Sequence, residues 1–456
     1  IDMKRRKEQN NVVSIPELDD DVLDSIFSHL PIKEVRDLSI LSHRFRYSWK
    51  FCRNLSFDRH FAGTMSTEKF KNSVNYFFKH HRSTSADKFR LYFDATNDVN
   101  LVSCWTQKAV NLGIKEFELD LTPTKTILML SWDLINVETI KSVTLVNCEL
   151  HLPLNSNGLR HLKELTLRCV RARPVLVKAV LANCSSLTTF RLVRCSCIYN
   201  LRILCGPDLK RFKTLVVENC SDYDSVAIIN APSLCSFRYR GKICEFRIQC
   251  HMERLNDVAF EIEHSKDFRM LPHKKEMVVG IAYVRHLTIS SAFLEGLTSK
   301  FEEMEFYFWR LLKLQVTVAS ESYINPSDIA NFLKKCPRIE NVFIDIGQNA
   351  FGSSPYWIMK GRKCFDKWET LFPLLKYVAL EGFTLKEQSI TMARFFLKNA
   401  IYLRHLTLIK AKNYNFPPTF TLNYLVSGIL SNARIELIEY NRESTTTMIP
   451  VRNPVG

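Results

Sequence analysis

The chain has 456 residues, 46% of them hydrophobic, which is enough for two or three domains or one long repeat array. Its formal net charge is +16, but the basic residues are dispersed and no nucleic-acid-binding motif accompanies them, which disfavours a nucleic-acid partner. The 14 cysteines include no C-x-x-C pair, and no catalytic or phosphate-loop motif is present. We therefore expect reduced core cysteines, no metal, no cofactor and no catalytic residues.

Residues 1–13 carry the basic run Lys4–Lys7, which is followed by polar residues instead of an apolar core. This pattern predicts a disordered end and no secretory signal. No apolar run approaches the roughly 20 residues of a membrane-spanning helix, so no membrane partner is expected. Together with the cysteines, these features predict a cytoplasmic or nuclear protein, or one found in both compartments.

Residues 14–58 have the pattern of a three-helix unit. Asp19 and Asp20 are suitable N-cap residues, and Pro31 predicts that the first helix ends near Leu30. A second helix is predicted from Lys33 to Ile40, and a third from Ser42. Apolar residues recur in the first helix at helical spacing, at Val22, Leu23, Ile26, Phe27 and Leu30. The unit has more apolar surface than it can bury alone, so it needs a partner.

The segments Ile15–Pro31 and Leu41–Trp49 together resemble the F-box of plant proteins. Asp19, His43 and Phe45 stand where that family usually has Pro, Lys and Trp. The resemblance implies binding to the Skp-type adaptor of a cullin–RING ubiquitin ligase. Carried over by position, the adaptor contacts would be Leu18, Val22, Leu23, Ile26, Leu30, Pro31, Leu41, Ser42, Arg44, Phe45 and Trp49. The alternative is an ordinary three-helix subdomain packed on the rest of the chain.

After this segment, twelve stretches fit the pattern L-x-x-L-x-L with apolar substitutions, from Ile114–Leu119 to Leu403–Leu408. Most start 21–29 residues apart, a spacing typical of leucine-rich repeats. We therefore predict an α/β fold in which residues 59–365 form a solenoid with a parallel β-sheet on its concave face. Helical returns are predicted at Arg173–Asn183 and Pro326–Cys336, and an earlier strand at Phe89–Asp94. A chance series of strands in an α+β fold is the alternative.

Residues 366–440 carry a second resemblance. Leu371–Phe383, Ala393–Ala400 and Leu403–Leu408 follow one another as strand, helix and strand, which looks like the FBD region of plant F-box proteins. The order of F-box, repeats and FBD makes the whole chain similar to plant F-box/FBD/LRR-repeat proteins. Residues 441–456 are predicted to be a tail.

The residues between the inward-facing leucines predict the composition of the open sheet face. The first repeat presents Glu116, Glu118 and Asp120, whereas the middle repeats present mainly basic residues, interrupted by Glu218. Arginine binds carboxylates and phosphates bidentately, so these positions predict contact with an acidic or phosphorylated substrate segment. The predicted contacts are Arg168, Arg191, Arg238 and Arg240. The alternative is that they are ordinary solvated residues of a basic protein.

The sequence thus predicts a non-catalytic substrate-recognition subunit of a Skp–cullin–F-box ubiquitin ligase. Its F-box would bind the adaptor, and through it the cullin, while the repeats bind an unknown protein substrate. One alternative is a non-degradative scaffold whose F-box is weakened by Asp19 and Phe45. Another is a ligand-sensing receptor.

Overall fold

The computed structural model describes residues 19–125, 127–151, 159–242, 244–248, 252–263, 274–298, 306–319, 326–346, 371–429 and 431–440. The chain divides into two units, Ile1–Leu187 and Thr188–Gly456. Parallel β-strands with one buried face are the main element of both units.

Unit 1 begins with two α-helices, α1 (Asp20–His29) and α2 (Ile32–Leu41). The predicted third helix is instead two short 3₁₀ turns, His43–Phe45 and Ser48–Phe51, because Tyr47 between them leaves the helical region (φ −114°, ψ 4°). Asp19 occupies the N-cap of α1, but its side chain makes no capping hydrogen bond. The expectation that it caps through its carboxylate is therefore wrong, although its charge still lies at the favourable end of the helix.

The rest of unit 1 contains strands β1 (Asn54–Phe57), β2 (Lys88–Tyr92), β3 (Glu116–Asp120), β4 (Leu128–Ser131), β5 (Ser142–Val146), β6 (Cys148–His151) and β7 (Glu164–Arg168), and helices α3 (Arg59–Ala62), α4 (Thr67–His80), α5 (Val99–Asn111) and α6 (Pro174–Asn183). Strands β1, β2, β3, β5 and β7 pair in parallel in that order. Strands β4 and β6 pair separately. The end of the predicted F-box thus supplies the first strand of the sheet, which the sequence analysis did not foresee.

Unit 2 contains strands β8 (Thr189–Val193), β9 (Tyr199–Leu204), β10 (Thr214–Glu218), β11 (Tyr223–Asn230), β12 (Ser236–Gly241), β13 (Glu245–Ile248), β14 (Asp257–Ile262), β15 (His286–Ser290), β16 (Lys313–Val318), β17 (Asn341–Ile346), β18 (Tyr377–Phe383), β19 (His405–Lys410) and β20 (Arg434–Ile438). Its helices are α7 (Lys274–Ile281), α8 (Ser291–Thr298), α9 (Pro326–Lys334), α10 (Glu387–Asn399) and α11 (Asn423–Val426). Ten strands, β8, β10, β12 and β14–β20, form parallel pairs in chain order, and β9, β11 and β13 form a second parallel sheet.

All twelve predicted repeat strands are strands of these parallel sheets, which confirms the leucine-rich-repeat fold. The predicted helical returns are confirmed as α6 and α9, and the strand–helix–strand pattern near the C-terminus as β18, α10 and β19. Other returns are strands, such as β9 and β11. Their sequences alternate apolar and polar residues at a period of two, as in Leu201–Ile203, where both end residues are buried.

The repeat core consists of the inward side chains of each strand, stacked from one repeat to the next. Phe237, Tyr239, Phe246 and Phe260 show this packing in unit 2, with ring centroids 4.7–6.5 Å apart and all four side chains buried. Because one face of most strands is covered in this way, the opposite face is the one that can contact a partner.

The turns after several strands use left-handed backbone, as at Asn147 (φ 57°), where the Nδ2 donates to the backbone oxygens of Leu121 (2.8 Å) and Thr124 (3.3 Å). These bonds satisfy carbonyl groups of the turn that would otherwise lack a donor inside the coil. Arg194 and Asn219 occupy equivalent turns with φ near 50°.

Candidate interaction surfaces

The inner side of the F-box is a small aromatic and aliphatic core. Leu23, Phe27 and Val35 are buried, and the rings of Phe27 and Phe45 meet edge-to-face at 5.3 Å. Leu23 and Phe45 are predicted adaptor contacts, but only 3% and 4% of these residues is exposed, so the surface that either can offer to a partner is small. Each side chain holds α1 and the following turns together instead, because both lie on the inward stripe of the unit.

Helices α1 and α2 each carry a pair of exposed aliphatic residues, and we call the four residues together the F-box patch: Val22 and Ile26 on α1, and Ile40 and Leu41 on α2. Their exposed fractions are 45%, 40%, 81% and 76%. Three were predicted adaptor contacts, whereas Ile40 was assigned only to the second helix. Exposed aliphatic groups of this size are typical of a surface that another protein covers.

Among the remaining predicted adaptor residues, Leu18 lies outside the described residues. Leu30, Pro31 and Ser42 are half-buried, and Arg44 is exposed. The Ser42 Oγ accepts a hydrogen bond from the backbone N–H of Arg44 (3.2 Å), so this serine starts the first 3₁₀ turn.

Trp49 packs the F-box against helix α4 of unit 1. Its ring lies 5.8 Å from that of Tyr76 and 5.9 Å from that of Phe77, both on α4. The Lys33 Nζ also donates to the backbone oxygen of His60 (2.9 Å), and the Asn54 Nδ2 donates to that of His29 (3.2 Å). Trp49 is half-buried, so these contacts use part of its ring within the chain, and its contact with the adaptor stays a prediction.

The open sheet face of unit 1 is less acidic than the sequence suggests. Glu116 forms an ion pair with Lys88, and Glu118 lies 3.0 Å from the Arg90 Nε, both cations being on the neighbouring strand β2. The predicted acidic start of the face is therefore compensated by Lys88 and Arg90 of β2, which the prediction did not include.

The four predicted arginines do not form one cluster within a unit. Arg168 ends β7 in unit 1, whereas the other three lie in unit 2. Arg191 and Arg238 occupy one row of the face, on either side of Val216. The Arg240 Nε is 3.6 Å from a Glu261 carboxylate oxygen, so part of its charge is compensated.

An acidic pair that the sequence analysis missed lies on the same face of unit 2. Asp345 on β17 and Glu381 on β18 are register partners, flanked in their row by Thr317 and Ile409. Burial, and then the Asp345 carboxylate, raise the pKa of Glu381 to about 7. Burial also raises the pKa of Asp345. Asp345 and Glu381 each stand six residues after the start of their L-x-x-L-x-L segments, so an alignment of the two segments would have paired them.

The described residues contain no group of three or more His, Cys, Asp or Glu side chains placed to hold a metal ion. Their cysteines are free thiols, and burial raises the pKa of Cys148 and Cys184 to about 12, which keeps both protonated and unreactive. Among the helices of the described regions, none combines the length and apolar character that crossing a membrane requires.

Comparisons with known proteins agree with this architecture. Residues 15–57 match the F-box domain family, and residues 77–420 match the family described as the At1g61320/AtMIF1 LRR domain. The FBD-associated F-box proteins At1g61330 and At1g61320 of Arabidopsis thaliana are each 26% identical, over 435 and 446 residues. These alignments cover 92% of this chain in both cases, and 97% and 94% of the relatives.

A third Arabidopsis thaliana relative, the F-box/FBD/LRR-repeat protein At2g26030, is 24% identical over 430 residues, which cover 87% of this chain and 92% of the relative. An F-box joined to leucine-rich repeats indicates a protein-interaction role as a receptor or adaptor, and proteins of this kind are generally non-catalytic. The chain belongs to the family of F-box proteins that carry the At1g61320/AtMIF1 LRR domain.

Proposed function

We propose that this protein is the substrate-recognition subunit of a Skp–cullin–F-box ubiquitin ligase. The observation that carries the proposal is the F-box patch, in which Val22, Ile26, Ile40 and Leu41 are exposed within the segment that matches the F-box family. Covering one such side chain is favourable by about 1.5–3 kcal/mol, so a partner that covers the patch gains affinity. A Skp-type adaptor is the partner that F-box domains generally bind.

In this proposal the chain contributes proximity and no chemistry of its own. The F-box binds the adaptor and thereby the cullin, while the repeats hold a protein target near the ubiquitin-loaded enzyme. The packing of Trp49 on α4 supports this role, because it joins the F-box directly to the rest of unit 1. Arg168, Arg191, Arg238 and Arg240 are proposed target contacts on the sheet faces of their units. Arg191 and Arg238 are the stronger candidates, since their register partners Val216 and Ala259 carry no carboxylate.

Two of the three departures from the F-box pattern, Asp19 and Phe45, raised the alternative of a scaffold with a weakened F-box, but the position of each is compatible with the ligase. Phe45 is a core residue that packs on Phe27, so its identity affects the interior of the F-box and not its outer face. Asp19 places a negative charge at the N-terminus of α1, where the helix dipole favours it. Neither residue removes apolar surface from the patch.

The test is co-expression of the full chain with a Skp-type adaptor, followed by size-exclusion chromatography. The unchanged chain should elute as a one-to-one complex, and Val22→Asp combined with Leu41→Asp should abolish it. Two lost aliphatic contacts correspond to about 3 kcal/mol or more, which is a loss of affinity of at least roughly 100-fold. Because both side chains are exposed, the variant should remain folded, unlike a substitution at the buried Leu23.

The matched control is Val99→Asp combined with Val175→Asp, which makes the same change at exposed valines of α5 and α6. This control should keep the complex. If the unchanged chain is folded but does not bind the adaptor, the ligase proposal fails and the scaffold becomes the better explanation.

A further inference from the structure

A depression of about 420 Å³ lies in unit 2 at the amino ends of strands β15–β17. It is lined by Arg285, Arg310 and Arg338, together with Leu312. Arg285 immediately precedes β15, whereas Arg310 and Arg338 lie in the turns before β16 and β17. Three successive repeats thus each contribute one arginine to the same depression.

The backbone holds these arginines in fixed places. The Leu312 N–H donates to the Arg285 carbonyl oxygen (2.9 Å), which fixes adjacent repeats at this edge. The turn that carries Arg310 is closed by a bond from the Leu311 N–H to the Phe308 oxygen (3.2 Å). The Arg338 turn is closed in the same way at the next repeat, by a bond from Ile339 to Cys336 (3.2 Å).

The positive charge of this depression is not compensated by the described residues. The three arginines are exposed, and none forms an ion pair with a carboxylate in the part of the chain that the structure describes. Arg310 lies over the ring of Tyr283, with its Cζ 5.7 Å from the ring centroid. Glu340, the acidic residue nearest to Arg338 in sequence, is bonded to the Lys376 Nζ (3.1 Å). Like charges repel when they are held together, so an anion bound here relieves that repulsion.

A second depression, of about 630 Å³, lies at the same ends of strands β18 and β19. Leu374, Ile401 and Tyr402 form its apolar side, and their exposed fractions are 43%, 56% and 67%. Neighbouring strands are about 4.8 Å apart, so β19 is roughly 10 Å from β17. An extended peptide covers that distance in about three residues. A single peptide therefore has the reach to place one group among the arginines and another against this apolar side.

We propose that this edge of unit 2 binds a phosphorylated segment of a target protein. Arg285, Arg310 and Arg338 hold the phosphate through their N–H groups, whose planar fork fits phosphate oxygens. The second depression holds an apolar side chain about three residues from the phosphorylated one. The site is separate from the row of Arg191 and Arg238 on the sheet face. This proposal extends the proposed function. What happens to the bound target rests on the ligase proposal, whereas the binding of the phosphorylated segment does not.

The experiment measures fluorescence anisotropy of the full chain with the labelled peptide Leu-Gly-Gly-phosphoserine-Gly-Gly-Leu. This probe has an apolar residue three positions from the phosphate in both directions. We expect binding that is at least roughly tenfold tighter than that of the same peptide with serine, because a phosphate supplies the charge-assisted bonds. Arg310→Glu combined with Arg338→Glu should weaken phosphopeptide binding by at least roughly tenfold, and the milder pair Arg310→Gln and Arg338→Gln should also weaken it.

The matched control is Arg202→Glu, which reverses the same charge at an exposed position of β9, on the return side of unit 2. It should bind the phosphopeptide as the unchanged chain does. Equal binding of the phosphorylated and unphosphorylated peptides, no measurable binding of either, or binding that the arginine variants leave unchanged would overturn the proposal.

Two further arms identify the ligand and separate this proposal from that of the ligase. If a phosphopeptide with both leucines replaced by glycine binds equally well and inorganic pyrophosphate displaces it at the same concentration, the site takes small anions, and the assignment to a protein segment is wrong. Val22→Asp combined with Leu41→Asp should abolish adaptor binding and leave phosphopeptide binding unchanged. The arginine variants should weaken phosphopeptide binding and leave adaptor binding unchanged. Peptide binding by a chain that never binds the adaptor would sustain this site and refute the ligase.

Discussion

Replacing Glu381 by Gln should stabilise the protein at pH 8 and have little effect at pH 5. Glu381 faces Asp345 across the β17–β18 register, and the row supplies no basic residue on either side, only Thr317 and Ile409. Its pKa is raised from the ordinary value of 4.5 to about 7 by burial and by the Asp345 carboxylate. The folded state therefore favours the protonated form more than the unfolded state does, and stability falls as pH rises from about 4.5 to about 7.

The magnitude follows from that difference in pKa. Between 4.5 and about 7, the linkage relation gives at most about 3 kcal/mol of lost stability at pH 8. Glu381 is only half-buried, so water screens the charge and about a third of this value is the reasonable expectation. The Gln variant should then be more stable than the unchanged chain by about 1 kcal/mol at pH 8 and by about 0.3 kcal/mol at pH 5.

The assay is chemical unfolding of both proteins at the two pH values, followed by circular dichroism. The matched control is Glu340→Gln, on the segment that leads into β17, because the Glu340 carboxylate forms an ion pair with Lys376. That control should destabilise slightly at both pH values, by less than about 1 kcal/mol. The reasoning would be refuted if Glu381→Gln changed the free energy of unfolding by the same amount at pH 5 and pH 8. It would also be refuted if the variant were less stable than the unchanged chain at pH 8.

Two further substitutions test the backbone geometry of the repeats by the shift of the unfolding midpoint. Gly382→Ala should cost roughly 3 kcal/mol, because Gly382 has φ +77° and an added Cβ would lie 2.0 Å from the Ile346 carbonyl oxygen. The control Gly428→Ala has a similar φ (+74°) but open space around the added Cβ, so it should cost only about 1 kcal/mol. Equal losses of stability in the two variants would contradict the clash at Gly382. Asn147→Ala should cost about 2 kcal/mol, since it leaves two turn carbonyls without their donor. Asn219→Ala, in a turn with the same left-handed backbone, should cost less than half as much, and a larger loss there would show that the backbone conformation and not the hydrogen bonds is decisive.

The sequence was most informative where a pattern is local and repeated. The spacing from Val22 to Leu30 is a property of one helix, and Pro31 ends that helix by its own sterics, so α1 was predicted to within a residue. The L-x-x-L-x-L segments were recognisable because every repeat buries the same two or three positions, as at Phe117 and Leu119. Local periodicity thus determined the presence of the F-box helices and the twelve predicted repeat strands.

The sequence was least informative about which side of an apolar stripe is covered. Leu23 and Val22 are adjacent and similar in chemistry, yet the first is buried and the second exposed, because only the packing of Phe27 on Phe45 decides which face is inside. Trp49 was assigned to a partner alone for the same reason, although α4 also supplies contacts to its ring within the chain. Burial depends on elements that are distant in sequence, which a helical period cannot identify.

The sequence by itself therefore determined the order of domains, the repeat strands and the family resemblance, because each of these depends on residues close together in the chain. Only the tertiary structure decided which charges meet. The pairing of Asp345 with Glu381, of Lys88 with Glu116, and the convergence of Arg285, Arg310 and Arg338 all join residues 25 or more positions apart in the printed sequence. Strand register brings these side chains together, and register is set by the stacking of whole repeats and not by any single one.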